Sequence, residues 1–131
     1  MARRAGRLAA RNAARAVYFE LEANRTSVSL AREYGAFPPL ARSTYERVLP
    51  ELAILLGVPD LSVLAAAYLA HLGYEQLRQS QDHPSDAREM ALTGILGAQD
   101  AGLGRLRGIA FTPIERSQLA AAANPGGAQH G

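Results

Sequence analysis

The sequence predicts an all-α fold, and three observations carry that expectation. Alanine (26 residues) and leucine (18) dominate the 131-residue chain, whereas valine and isoleucine together supply nine, a balance that favours helix over sheet. Apolar residues recur at spacings of three and four, with no period-two alternation. Helix-start and helix-stop signals divide the chain into about five helices, enough for one small bundle-like domain.

Taken in order, residues 4–34 read as helix, in one piece or two. Leu8, Ala9, Ala13, Ala16, Val17, Leu21, Val28 and Ala31 keep the helical spacing, and Arg3, Arg7, Arg11 and Arg15 form an i, i+4 stripe. Asn24 or Thr26 would cap a second segment if the helix breaks. Gly35 suits a C′ position, and Pro38-Pro39 forbid continuation. Ser43 and Glu46 have capping-box spacing and open a helix carrying Val48 and Leu49. Pro50 kinks or restarts that helix, and Glu51–Leu56 runs on to Gly57. Asp60 caps the longest apolar helix, Leu61–Gln79. Pro84 and Ser85 start another, Asp86–Leu96, with Met90, Leu92, Ile95 and Leu96 as its buried candidates. Five glycines within residues 94–108 predict a loop or frayed turns there. Thr112-Pro113-Ile114-Glu115 combines an N-cap, a proline at N1 and the capping-box glutamate, and its helix ends near Ala123. Residues 124–131 read as a disordered tail by composition.

Composition narrows the chemistry. The absence of cysteine excludes disulfide frameworks, cysteine-based zinc sites, thiol nucleophiles and iron–sulfur ligation. No apolar run approaches the roughly 18 residues of a membrane span, so a soluble, cytoplasmic protein with no membrane partner is expected. All fourteen basic residues are arginine, although 26 alanines and 12 glycines show that a GC-rich coding sequence would produce the same bias. The placement of charge is more informative. Arg3, Arg4, Arg7, Arg11 and Arg15 precede the first acid, Glu20, whereas residues 16–131 carry nine arginines against twelve acids. The result is a basic N-terminal arm or helix start (residues 1–15) on a mildly acidic helical body (16–123). Transit peptides share this charge pattern but are rich in serine, which the first 25 residues lack.

Catalytic and metal-binding patterns are weak. His130 falls in the tail and His83 in a loop, which leaves His71, one turn before Glu75. A zinc site needs a third protein ligand, and none stands at a recognisable spacing, so His71 reads as a partly exposed residue satisfied by Glu75. Glu20/Glu22 and Asp82/Asp86 sit in solvated contexts without the arrangement paired-acid catalysis needs. No cofactor is expected. Gly102-Leu-Gly-Arg-Leu-Arg-Gly108 departs from both phosphate-loop patterns, yet as a loop it would let Arg105 and Arg107 hold a phosphate. Ala53, Gly57 and Val63 follow helix-turn-helix spacing, with Ala53 allowing close approach, Gly57 the turn and Val63 the packing. The outward positions of that hairpin (Asp60, Leu61, Leu64, Ala65, Tyr68) are apolar or acidic and offer little to base edges.

Tyr18, the run Leu30-Ala-Arg-Glu-Tyr-Gly-Ala-Phe-Pro38, Ser43 and Tyr45 together resemble a segment near the C-terminal part of the large chain of ribonucleotide reductases. The similarity covers about residues 18–45 and ends where Glu46-Arg47 replace the family's glycine. That family's chemistry runs through cysteines, of which this chain has none, so the resemblance implies a detached or repurposed piece acting within a larger deoxyribonucleotide-synthesis assembly.

The sequence thus leads to the expectation of a non-enzymatic binding or regulatory module. Its arginines at 3, 4, 7, 11 and 15, with Arg105 and Arg107, dock on nucleic acid or an acidic protein surface. Its apolar helices supply a core or an interface to a second copy or another protein. The reductase-like piece and a phage or plasmid accessory or structural protein are the alternatives.

Overall fold

A computed structural model describes residues 2–80 and 82–123, with side chains from residue 6 onward. Five helices account for the described elements: α1 (Ala2–Tyr34), α2 (Ser43–Leu55), α3 (Val58–Ser80), α4 (Ser85–Ala110) and α5 (Pro113–Ala123). None of them is long and apolar enough to cross a membrane. The expected tail at 124–131, with His130, lies outside the described residues.

α1 is one unbroken helix of 33 residues, about 50 Å long. The residues that would have capped a second segment have other uses. Asn24 is buried, and its carboxamide donates to the Ala41 carbonyl at 2.7 Å and accepts from the Ala41 N–H at 2.8 Å, clamping the connection to α2. Thr26 Oγ1 donates to the Glu22 carbonyl within the helix. Gly35 ends α1 at φ 72°, a left-handed conformation that suits glycine, and its N–H reaches the Ala31 carbonyl at 3.0 Å. Phe37 then folds back onto Tyr74, with ring centroids 5.3 Å apart.

The capping box expected at Ser43 and Glu46 does not form, because the start of α2 is satisfied from outside the helix. Glu20 of α1 accepts the Thr44 and Tyr45 N–H groups at 2.9 and 3.2 Å, placing a carboxylate where the helix dipole favours it. Pro50 does not end α2, which is anchored on either side by buried Tyr45 and Leu52. α3 starts at Val58, so Asp60 lies within its first turn instead of capping it.

The largest correction concerns residues 94–108, which are helix and not loop: α4 runs through all five glycines to Ala110. Each glycine costs about 0.5–1 kcal/mol in a helix interior, yet Gln99, Leu103, Leu106 and Ala110 bury a continuous face that outweighs this cost. Gly102 sits in the tightest packing, since a Cβ there would stand 3.2 Å from both Ala67 Cβ and Leu21 Cδ2, closer than ordinary contact. Met90, expected in the core, is 77% exposed. α5 opens as the sequence predicts: the Thr112 N–H donates to Glu115 Oε1 at 2.8 Å, and the Glu115 N–H donates to Thr112 Oγ1 at 3.1 Å.

α4 runs antiparallel to α1, as the pairs Arg25–Asp100 and Arg15–Ala110 show, and antiparallel to α3, as Asp60–Arg105 and His71–Gln99 show. α2 packs on α1. One core cluster gathers Tyr18, Leu21, Leu52, Leu64, Tyr68, Leu103 and Leu106; a second, toward the far end of α1, gathers Val28, Tyr74, Leu92, Ile95 and Leu96. Leu64 and Tyr68, which the hairpin reading places outward, belong to the first cluster, and Ala53 is exposed instead of easing a close helix approach. His71 is buried too. Its Nε2 lies 3.0 Å from Gln99 Nε2, while Glu75 pairs with Arg78, so the expected His71–Glu75 partnership is not made.

Candidate nucleic-acid interface

The arginines singled out by the sequence fall into three groups. Arg3 and Arg4 lie on the first turn of α1, and their side chains are outside the described residues. Arg7 and Arg11 stand exposed one helical turn apart, and among the described residues neither forms an ion pair. Arg15 is held in place. Its Nε donates to the Ala110 carbonyl at 2.9 Å, its Nη2 meets Glu115 Oε1 at 2.9 Å, and its guanidinium lies 5.4 Å from the Phe111 ring centroid. That carbonyl belongs to the last residue of α4, where a cation is favoured and an intrahelical donor is lacking. Arg15 therefore staples α1 to the junction of α4 and α5, and its charge is partly neutralised.

Arg105 and Arg107 do not form a phosphate loop. Residues 102–108 are helical, so their N–H groups are engaged within α4 and cannot converge on an anion. Arg105 pairs with Asp60 of α3 at 2.7 Å, and Arg107 is half-buried in the last turn of α4. Its ion pair turns Arg105 toward α3.

Other exposed residues lie on α1 and α5. Phe19 follows Arg7, Arg11 and Arg15 at the next i+4 step and is 55% exposed. Its ring meets Tyr18 edge-on at 5.3 Å (83°) and Phe111 at 6.1 Å (81°). From α5, Arg116 donates to the Phe111 carbonyl at 2.7 Å, adding a cation beside the junction. Leu8 on α1 is 60% exposed and Ile114 on α5 is 73% exposed. The i+4 series from Arg7 to Phe19 is legible in the sequence, but the exposure of its last member is not. That depends on how Phe111 docks.

The remaining concavities carry other chemistry. A hollow of about 620 Å³ is lined by Asp86, Glu89, Met90, Thr93 and Gly94, all from one helix and including two carboxylates. Among the described residues no cluster of three or more His, Cys, Asp or Glu side chains is placed to hold a metal. His71 is pushed down to about 4, chiefly by burial and further by the charge of Arg42. It is therefore neutral near pH 7, and its ring faces Gln99 and Tyr68 inside the bundle.

No protein-family model, curated protein or solved structure matches the chain.

Proposed function

We propose that this chain is a non-enzymatic helical module that docks on nucleic acid through the basic face of α1. The observation that carries the reading is the pair Arg7 and Arg11. Both are exposed on one helix a turn apart and, among the described residues, neither has a carboxylate within ion-pair distance, in a stretch whose five arginines precede any acid. A guanidinium contacts phosphate through planar, bidentate donors, and such contacts need no base edge. Specific reading through α3 has little support, because Leu64 and Tyr68 are committed to the core.

The test is a mobility-shift titration across salt with wild type and the Arg7→Ala/Arg11→Ala double variant. Arg15 is left in place because it also ties α1 to α4 and α5. Wild-type affinity should fall steeply with salt. The double variant should bind more weakly, with its salt slope reduced by about 0.9 for each lost phosphate contact on duplex, or about 0.7 on a single strand. Binding that is insensitive to salt, or undiminished in the variant, defeats the reading.

A further inference from the structure

The geometry points to a single strand of nucleic acid, rather than a duplex, as the ligand of the α1 face. This rests on the proposed docking function and specifies its ligand. The argument turns on Phe19. The i+4 row winds by about 40° per step, so Phe19 lies about 120° round α1 from Arg7. It is 55% exposed, although its ring also packs on the core rings of Tyr18 and Phe111. Its own contacts are lateral, the near-perpendicular approaches of Tyr18 and Phe111, which fix the ring in place while leaving much of it open. Arg15 is fixed in turn by the Ala110 carbonyl, Glu115 and the Phe111 ring, so the cationic and aromatic parts of the face are preorganised together.

Three arginines followed by one half-open aromatic ring along the i+4 row match what an unpaired strand presents. Phosphates run along one side of such a strand, and the bases have exposed π-faces that stack on aromatic side chains whatever their identity. A duplex buries those faces in its own stack and would leave Phe19 against backbone and water, with no gain from its apolar surface. From Arg7 to Phe19 the helix rises about 18 Å, room for several contacts in sequence along one extended strand. An acidic protein surface would pair with the arginines equally well, but nothing in its charge calls for an open ring beside them.

The test uses the full chain with fluorescein-labelled oligothymidylate and a duplex of matched length at one salt concentration. Phe19→Ala and Phe19→Trp are compared with wild type, and thermal melts establish that each variant is folded. Phe19→Trp doubles as a reporter because the native chain contains no tryptophan. The single strand should bind more tightly than the duplex. Phe19→Ala should weaken single-strand binding by about tenfold, in line with the loss of one stacked base, and leave duplex binding unchanged. In Phe19→Trp, single-strand affinity should be retained and the indole emission quenched on binding. Equal or tighter duplex binding, an equal loss on both probes in Phe19→Ala, or an unquenched indole in the bound Phe19→Trp variant overturns the inference. Polyglutamate that competes as well as unlabelled oligothymidylate also overturns it. Salt-sensitive duplex binding indifferent to Phe19 would leave the docking function standing without this ligand, whereas no binding to either probe would remove both.

Discussion

Glu20 joins three helices through one carboxylate: it accepts the Thr44 and Tyr45 N–H groups at the start of α2, and the Tyr68 hydroxyl of α3 at 2.7 Å. Burial alone would raise its pKa, but the hydrogen bonds from Tyr68, Thr44 and Tyr45 prevail and hold it below the usual 4.5. His71 is also depressed, from 6.5 to about 4, first by desolvation. Both shifts carry the same sign for stability. A depressed pKa means that the unfolded chain binds protons the folded chain refuses, so stability is full above the unfolded value and lost as pH falls. Melting temperature should therefore begin to fall below about pH 6.5 through His71, with a further loss below 4.5 as Glu20 is protonated. Circular-dichroism melts of wild type and His71→Gln from pH 7.5 to 3.5 check this. The variant should lose the upper part of the decline and keep the lower, and an unchanged curve would show that His71 is not the titrating group. The histidine was visible in the sequence, but its partner was not. Glu75 stands at the right spacing, yet the helix face of His71 turns inward, toward a glutamine 28 residues away.

At the scale of elements, α4 shows how packing overrides local preference. Its glycines are unequal. Gly97 and Gly94 have nothing within 4 Å of a notional Cβ, whereas Gly102 sits where α1, α3 and α4 meet. Gly97→Ala should stabilise the protein by about 0.5–1 kcal/mol, since alanine loses less backbone freedom in a helix. Gly102→Val should destabilise it by about 1–3 kcal/mol, because Ala67 Cβ can yield only if the helices part. Thermal melts of the two variants give the signs, and a stabilising Gly102→Val would refute close packing as the reason for that glycine. Helix starts were legible where the cap is local, as at Thr112 and Glu115, and illegible where it comes from elsewhere. No rule of spacing links Ser43 to Glu20, whose carboxylate replaces the expected box. Whether α1 runs as one helix or two was illegible for the same reason: Asn24 clamps Ala41, a contact that exists only once the chain has turned back.

For the whole molecule, the distribution of charge matters more than its total of +2. α1 bears Arg7 and Arg11 exposed, Arg15 follows at the next i+4 step, and α5 brings one acid, Glu115, against Arg15. Glu115→Gln keeps an acceptor for the Thr112 N–H while removing that charge. If the face binds phosphate, the variant should bind nucleic acid about two- to fivefold more tightly at low salt, the scale of one exposed charge pair. The gain should vanish at high salt, where the screening length shrinks. Titrations at two ionic strengths decide the matter, and an unchanged affinity at low salt would place the ligand elsewhere.

The helical class, the approximate number of helices, the glycine stop at the end of α1, the capping box of α5 and the one-sided charge were determined by the sequence alone. Each depends on residues within a turn or two of one another, or on composition. Which helices continue, which polar groups are buried and which arginines remain open were decided only by the tertiary structure. Those outcomes depend on pairs far apart in the chain: Glu20 with Tyr68, His71 with Gln99, Arg15 with Ala110 and Glu115, Gly102 with Leu21 and Ala67. Of the seven arginines that composition and spacing offered, packing leaves Arg7 and Arg11 open on the described surface of α1, occupies Arg15 and Arg105 in contacts between helices, and half-buries Arg107. Local spacing could not have separated them, because the energy of each long-range contact exists only when the bundle closes.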